Sequence, residues 1–292
     1  MTISITPALS SKRPMQFARP APTLGILGGM GPLAGAEFFH RLSAAFPASS
    51  DQQHPVVHLL SNPRIMSRSS AVLSEDQGHH EAVEGEIRAG VEALISLGAD
   101  VIAVPCNTAH HFIDRFHDDV FAAHPGHVAR RHTNDRPPAV LAHIVDATID
   151  RLARSGHAAG WLLATRGTVC SQIYTARATA RAIDLRLPDE RVQDAVDRCI
   201  AAVKAGRTDE AASLAADVAE SLTGLADFPL IAACTELPIA FAAGGTPIPH
   251  ISSIDALVDH TISLLQRGRE GIDERAPVAQ RDAAKDLLRE AD

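Results

Sequence analysis

A short apolar run that ends in a turn and leads into a helical pattern recurs along the chain, and this repetition most constrains the fold. Residues 23–28 form the first run, which ends in the glycine-rich turn 28–32 before helical spacing begins at Leu33. Residues 56–60 and 101–104 form two further runs, with a long helical pattern between them. Strands that alternate with helices predict a parallel sheet covered by helices on both faces.

The same pattern starts again in the second half of the chain. Residues 160–165 and 230–233 are predicted strands, and helical patterns separate them. Strand 101–104 is followed by Cys106 and strand 230–233 by Cys234, and each cysteine has a threonine within two residues. This internal repeat predicts an α/β fold of two pseudo-symmetric three-layer domains, each with a mostly parallel sheet covered by helices.

The length of 292 residues fits two domains of about 100–200 residues each. The helical pattern at 253–267 comes after the second repeat is complete, so we expect it to pack back on the first domain. The expected division is a flexible leader at 1–20, a first domain at 21–138 plus 253–268, a second domain at 139–252, and a charged tail at 269–292.

Charge and composition exclude several classes of function. With 27 Lys and Arg against 35 Asp and Glu, the formal net charge is −8, so no nucleic-acid partner is expected. There is no uncharged apolar run of about 18 residues and no signal peptide in the first twenty residues, so we expect neither membrane insertion nor secretion but a cytoplasmic location. Four cysteines in this spacing predict neither a disulfide framework nor a metal site.

Cys106 and Cys234 are the candidates for chemistry, because ligands bind beyond the carboxyl ends of strands in open parallel sheets. A helix N-terminus lowers the pKa of a thiol, so both positions favour a reactive thiolate. Two thiols on opposite sides of a substrate suit removal of a proton from one face of a carbon and its return to the other. The competing interpretation is that each cysteine is a small apolar filler of the core.

Other motifs in the chain are weaker. Residues 29–34 fit a dinucleotide signature, but Asn62 stands where the acidic residue of that motif is expected, so no nucleotide cofactor is predicted. The histidines show no metal-ligand spacing, and no metal is predicted. His110 lies one turn beyond Cys106 and is expected to hold a substrate group or to tune that thiol, whereas Cys199 is predicted to be a core residue.

Five short motifs occur in an order that makes the chain recognisable over about residues 22–268. By these motifs it resembles the aspartate/glutamate racemase superfamily, and most closely its aspartate racemases. The motifs are Leu-Gly-Ile-Leu-Gly-Gly-Met-Gly-Pro at 24–32, Asp-Gln-Gln-His-Pro at 51–55, Asn-Pro-Arg-Ile at 62–65, Pro-Cys-Asn-Thr-Ala-His at 105–110 and Ala-Cys-Thr-Glu at 233–236.

The resemblance implies a racemase that needs no cofactor and forms a homodimer. Its substrate would be a small amino acid, and aspartate is the one expected first. Its active site would lie between the domains, with Cys106 and Cys234 as the opposed acid and base. Arg68 and Lys204 match the family's cations for an acidic substrate. Ser67 stands where the aspartate racemases usually carry an acidic residue, which leaves strict aspartate specificity open.

The resemblance and the turn chemistry together predict a set of residues around the substrate. Glu236 is expected either to cap the helix after Cys234 or to orient its thiol. The candidates for substrate binding are Met30, Gly31, Asn62, Arg68, Asn107, Thr108, Thr168, Ser171, Lys204, Thr235 and Glu236.

Three alternatives to an aspartate racemase stay open on the sequence. The first is a racemase of glutamate or of broader specificity. The second is a decarboxylase or cis-trans isomerase, because the superfamily also uses strand-end cysteines for such reactions. The third is a protein that binds amino acids without catalysis.

Overall fold

The computed structural model describes residues 22–121, 138–225, 228–244 and 248–273, and it contains two four-stranded parallel sheets. The predicted leader at 1–20 lies outside the described residues. Of the predicted charged tail, residues 269–273 end the last helix, and 274–292 also lie outside them.

The first sheet has the strand order β2-β1-β3-β4, and all its pairings are parallel. The glycine-rich turn after β1 leads directly into α1, which has a proline in its first turn, as the sequence predicts. The elements are β1 (Leu24–Gly28), α1 (Pro32–Ala45), a 3₁₀ turn (Asp51–Gln53), β2 (Val57–Ser61), α2 (Arg68–Val72), α3 (Gln77–Ser96), β3 (Val101–Ala103), α4 (Ala109–Phe121) and β4 (Val140–Ala142).

The second sheet repeats this arrangement with the order β6-β5-β7-β8, again parallel throughout. The two-sheet α/β fold predicted from the internal repeat is therefore confirmed. The elements are α5 (Ile144–Arg154), β5 (Ala159–Leu163), α6 (Arg166–Cys170), α7 (Ile173–Thr179), β6 (Asp184–Arg186), α8 (Glu190–Lys204), α9 (Thr208–Thr223), β7 (Leu230–Ala232), α10 (Leu237–Ala243), β8 (Ile251–Ser252) and α11 (Ser253–Asp273).

Alternate side chains of the strands face different apolar layers. Leu24 and Ile26 of β1 face a cluster that also contains Leu162 and Ile231 of the second sheet, whereas Leu27 faces the helices α3 and α4 on the other side. The cluster between the sheets is filled by α1, α5, α7 and α11, and a third cluster packs α8, α9 and α10 on the second sheet. One helical layer is thus shared by the two sheets.

The helices that follow the last strand of each sheet cross to the opposite sheet. After β4, α5 packs on α7 and β8, and after β8, α11 packs on α1, β3 and β4, as expected for the helical pattern at 253–267. We call the first sheet with α1–α4 and α11 the first lobe, and the second sheet with α5–α10 the second lobe.

One predicted boundary differs from the structure. The sequence predicts that the second domain begins at residue 139, yet β4 (Val140–Ala142) pairs with β3 and so belongs to the first sheet. Because β4 is a short strand at the edge of its sheet, only its pairing with β3 shows which sheet it belongs to. We propose that the chain is divided into two lobes as predicted, except that β4 belongs to the first lobe.

The described residues contain neither a helix that could span a membrane nor a cluster of metal ligands. Within residues 22–121, 138–225, 228–244 and 248–273, no helix is long and apolar enough to cross a membrane. The same part of the chain holds no group of three or more His, Cys, Asp or Glu side chains that could bind a metal ion.

Gly29 lies in the turn after β1, where the backbone of Asn62 leaves no room for a side chain. Its φ is +94°, and a Cβ atom there would lie 2.3 Å from the backbone carbon of Asn62. We expect Gly29→Ala to lower the free energy of unfolding by at least about 2 kcal/mol, measured by urea denaturation. Gly85→Ala is the matched control: Gly85 lies in α3 with nothing near its Cβ position, so alanine there should stabilise by about 0.5–1 kcal/mol.

Candidate active site

The two strand-end cysteines line one cavity. Cys106 follows β3 and Cys234 follows β7, and each side chain is almost buried, with 7% and 6% of its surface exposed. Both lie on the wall of an open cavity of about 340 Å³ that residues of both lobes line. The carboxyl ends of the two sheets therefore meet at this cavity.

Seven of the residues predicted to bind substrate share that wall, and two more lie just behind it. Thr168 is buried and lies 2.7 Å from Thr108, measured between the two hydroxyl oxygens. A Cβ atom at Gly31 would lie 3.5 Å from Oε1 of Glu236. The seven wall residues are Met30, Arg68, Asn107, Thr108, Lys204, Thr235 and Glu236.

Asn62 and Ser171 are not part of the cavity wall, because their short side chains are used in local turns. Oδ1 of Asn62 accepts a hydrogen bond from the backbone N–H of Arg64 at 3.1 Å. The hydroxyl of Ser171 donates to the carbonyl of Thr168 at 2.7 Å. Neither side chain lines the cavity, and their contact with the substrate stays a prediction.

A cluster of hydroxyl groups joins the lobes beside the cavity, and the sequence does not predict it. Ser69 of the first lobe donates to Thr165 of the second at 3.0 Å, and Thr108 lies 3.2 Å from Thr165. Thr165 also accepts from the N–H of Thr168 and caps α6, a local signal from which Thr165 could have been found. The pairing with Ser69 has no such signal because the partner lies on the other lobe.

The helices α2 and α6 approach each other closely at this cluster. A Cβ atom at Gly167 would lie 2.5 Å from Cα of Ser69, so only glycine permits this contact. Ser67 caps the N-terminus of α2 by accepting from the N–H of Ser70 at 3.2 Å. The residue that departs from the aspartate racemase pattern is thus a helix cap at the edge of the cavity.

Cys234 is paired with a carboxylate. Its thiol donates to Oε2 of Glu236 at 3.0 Å. Burial raises the pKa of Cys234 well above its usual value, the nearby charge of Glu236 raises it further, and Lys204 opposes the shift. The expectation that a helix N-terminus lowers the pKa of this thiol is therefore wrong for Cys234, because burial and the carboxylate outweigh the short helix α10.

Lys204 completes this charged group. Its Nζ lies 4.0 Å from Oε1 of Glu236. Burial disfavours the charged amine, but Glu236, Cys234 and Cys106 together raise the pKa of Lys204 above its ordinary value. Lys204 is therefore a stable cation on the cavity wall.

Arg68 is a cation whose partners are all backbone carbonyls. Its Nη1 donates to Ile65 at 3.1 Å and to Met66 at 2.9 Å, and its Nη2 donates to Met30 at 3.0 Å. Its Nε is buried without a hydrogen-bond partner. In the described part of the chain no carboxylate forms an ion pair with Arg68, so its charge is not neutralised by the protein.

His110 cannot reach a substrate, because it is completely buried behind Cys106. Its Nδ1 lies 2.9 Å from the carbonyl oxygen of Cys106, and its Nε2 accepts from the N–H of Ile144 at 3.4 Å. Burial lowers the pKa of His110 to about 3, so the ring is neutral. Of the two predicted roles for His110, substrate binding is therefore wrong.

We expect Glu236→Gln to lower the pKa of Cys234, because the substitution removes the negative charge that disfavours the thiolate. Alkylation by iodoacetamide requires the thiolate, so the pH midpoint for alkylation of the Cys234 peptide should fall by about one unit or more. Asp197→Asn, which removes a negative charge elsewhere on the cavity wall, is the matched control and should move the midpoint less. Equal midpoints in Glu236→Gln and in the unmodified protein would contradict the expectation.

Comparison with known proteins places this site in context. The sequence profile of the family described as Asp/Glu/hydantoin racemase matches residues 27–261. The broad specificity amino-acid racemase RacX of Bacillus subtilis (strain 168) is 26% identical over 245 residues, which cover 82% of this chain and 96% of RacX.

Solved structures show the same fold. Picrophilus torridus aspartate racemase matches with a TM-score of 0.66 and 29% identity, covering 84% of this chain and 94% of that chain. A putative Asp/Glu racemase from Yersinia pestis matches with a TM-score of 0.60 and 20% identity, covering 84% of this chain and 99% of that chain.

The fold, the shared cavity and these matches together define an amino-acid racemase, an isomerase whose substrates are small molecules. More narrowly, the chain belongs to the Asp/Glu/hydantoin racemase family.

Proposed function

We propose that the protein racemises an acidic amino acid, most readily aspartate, by proton transfer at the α-carbon between Cys106 and Cys234 and without pyridoxal phosphate. The observation that carries the proposal is that thiols from two different lobes line one cavity. Its volume of about 340 Å³ lies at the small end of the range for small-molecule sites.

In the proposed reaction one thiolate removes the α-proton, which leaves a carbanion and a thiol. The other thiol then donates its proton to the opposite face of that carbon and becomes the thiolate. The pairing with Glu236 favours Cys234 as the thiol, so we assign Cys234 as the acid and Cys106 as the base in the first direction of the reaction. The sum of the two steps is inversion of one carbon with no change of oxidation state.

The developing negative charge spreads onto the substrate α-carboxylate and must be stabilised there. Within the described residues, the backbone N–H groups of Asn107 and Thr108 donate no hydrogen bond. We assign them, with the hydroxyl of Thr108, to that carboxylate.

The preference for an acidic substrate rests on Arg68 and Lys204. A second carboxylate would neutralise Arg68, whose charge has no protein counterion in the described residues. The similarity to Picrophilus torridus aspartate racemase supports aspartate. The similarity to RacX, and the neutral Ser67 beside Arg68, favour broader specificity as the second candidate.

We also propose a homodimer. The edge strand β2, the residue just before it and the neighbouring helix α1 expose several large apolar side chains to solvent, which is typical of a surface that contacts another protein. These side chains are Leu33, Phe39, Val56 and Leu59.

The reaction is tested by incubating the purified protein in heavy water, without pyridoxal phosphate, with L-Asp, D-Asp, L-Glu or D-Glu. We expect deuterium at the α-carbon of the inverted product, with aspartate turned over fastest. Cys106→Ser and Cys234→Ser should each reduce racemisation by about 100-fold or more. Cys170→Ser, which changes an exposed cysteine, is the control and should keep full activity.

The same experiment separates the alternatives. Release of carbon dioxide would identify a decarboxylase, and binding detected by calorimetry without any label at the α-carbon would identify a protein that only binds amino acids. Racemisation that survives in both cysteine variants would contradict the two-thiol mechanism.

Arg68→Gln tests the substrate class. Loss of a charge-assisted contact of about 1.5–3 kcal/mol should lower kcat/KM for aspartate roughly 10- to 100-fold. The value for alanine, which has no second carboxylate, should fall much less. Arg64→Gln is the control, because Arg64 is exposed and absent from the cavity wall. An equal loss for aspartate and alanine would show that Arg68 does not recognise a side-chain carboxylate.

A further inference from the structure

Both ends of the Asn107 side chain are occupied by protein. Asn107 directly follows Cys106, and its Oδ1 accepts a hydrogen bond from the hydroxyl of Tyr174 at 2.6 Å. Its Nδ2 donates to the hydroxyl of Ser253 at 3.1 Å. The side chain of Asn107 is therefore held between two other segments of the chain.

Tyr174 reaches this position from the opposite lobe. It lies on α7, and only 1% of its surface is exposed. Burial raises the pKa of Tyr174 above its ordinary value, so the phenol stays protonated and remains a donor. Thr148 donates its own hydrogen to the carbonyl of Ile144, so its oxygen is a second acceptor for the phenol, at 3.3 Å. The single phenol hydrogen favours Asn107, the nearer acceptor at 2.6 Å.

A second contact holds the same loop from the second lobe. Because the N–H of Ile144, at the start of α5, must donate to Nε2 of His110, the proton of this neutral ring lies on Nδ1. Nδ1 then donates to the carbonyl of Cys106. The loop after Cys234 has Pro238 in the place of His110, so it lacks this contact.

The helix α7, which carries Tyr174, also forms an ion pair with the first lobe. Arg177, one turn beyond Tyr174, donates to both carboxylate oxygens of Asp114 on α4, at 2.9 and 2.8 Å. Both bonds come from Nη2, and charge-assisted hydrogen bonds are stronger than neutral ones. The hydroxyl of Tyr174 is thus presented to Asn107 from a helix with a defined position.

We propose that Tyr174 is a positioning residue for Cys106: through its hydrogen bond to Asn107, it holds the loop that carries this thiol in place from the opposite lobe. The proposal rests on the proposed function, in which Cys106 exchanges a proton with the substrate. Because Tyr174 is absent from the cavity wall, it acts through Asn107 and not on the substrate.

The first test is the steady-state kinetics of Tyr174→Phe in the full chain, with aspartate as substrate. A displaced thiol transfers protons slowly although substrate still binds, so kcat should fall roughly 10-fold while KM changes by less than about threefold. Thr148→Val removes the other polar neighbour of the hydroxyl at nearly constant volume, and its kcat should stay within about twofold of the unmodified protein.

The second test does not depend on activity. The rate at which iodoacetamide alkylates each cysteine peptide is followed by mass spectrometry in the unmodified protein and in Tyr174→Phe. We expect the rate at Cys106 to rise at least about threefold, because its loop is released, while the rates at Cys234 and at the buried Cys199 stay unchanged.

Three outcomes would overturn the proposal. The first is a kcat for Tyr174→Phe equal to that of the unmodified protein. The second is an equal rise in alkylation at Cys106, Cys234 and Cys199, which would mean general loosening of the fold. The third is an equal loss of kcat in Thr148→Val. If the unmodified protein shows no racemisation at all, the proposed function fails, and the alkylation contrast at Cys106 still decides the positioning role.

Discussion

The apolar helical layer between the two sheets is the constraint on which the rest of the structure depends. Side chains of β1 and β3 on one side and of β5 and β7 on the other bury themselves against the same helices α1, α5, α7 and α11. Burial of apolar surface is the main favourable term in folding, so this layer sets the separation of the two sheets. It thereby sets the separation of their carboxyl edges, where Cys106 and Cys234 lie.

The sequence predicts those parts of the fold in which a local pattern is sufficient. The strands β1, β2, β3, β5 and β7 are apolar runs bounded by turns, and all were predictable, whereas β4, β6 and β8 are short edge strands that are revealed only by their partners. The same distinction holds for the cavity wall. A cysteine at a strand end is visible in sequence, but the pairing of Ser69 with Thr165 depends on how the lobes meet.

The two cysteines occupy equivalent places in the repeat but have unlike surroundings. Cys234 donates to a carboxylate that is paired in turn with Lys204, while the loop of Cys106 is held by neutral groups, the imidazole of His110 and the phenol of Tyr174. A backbone of near two-fold symmetry therefore carries a site without electrostatic symmetry. That difference suits a reaction in which one thiol begins as acid and the other as base.

The crossing of α5 and α11 means that neither half of the chain is complete by itself. Each half leaves one flank of its own sheet to be covered by a helix that the other half encodes. Halves produced as separate polypeptides would each expose an uncovered apolar flank, so they would either aggregate or associate with each other.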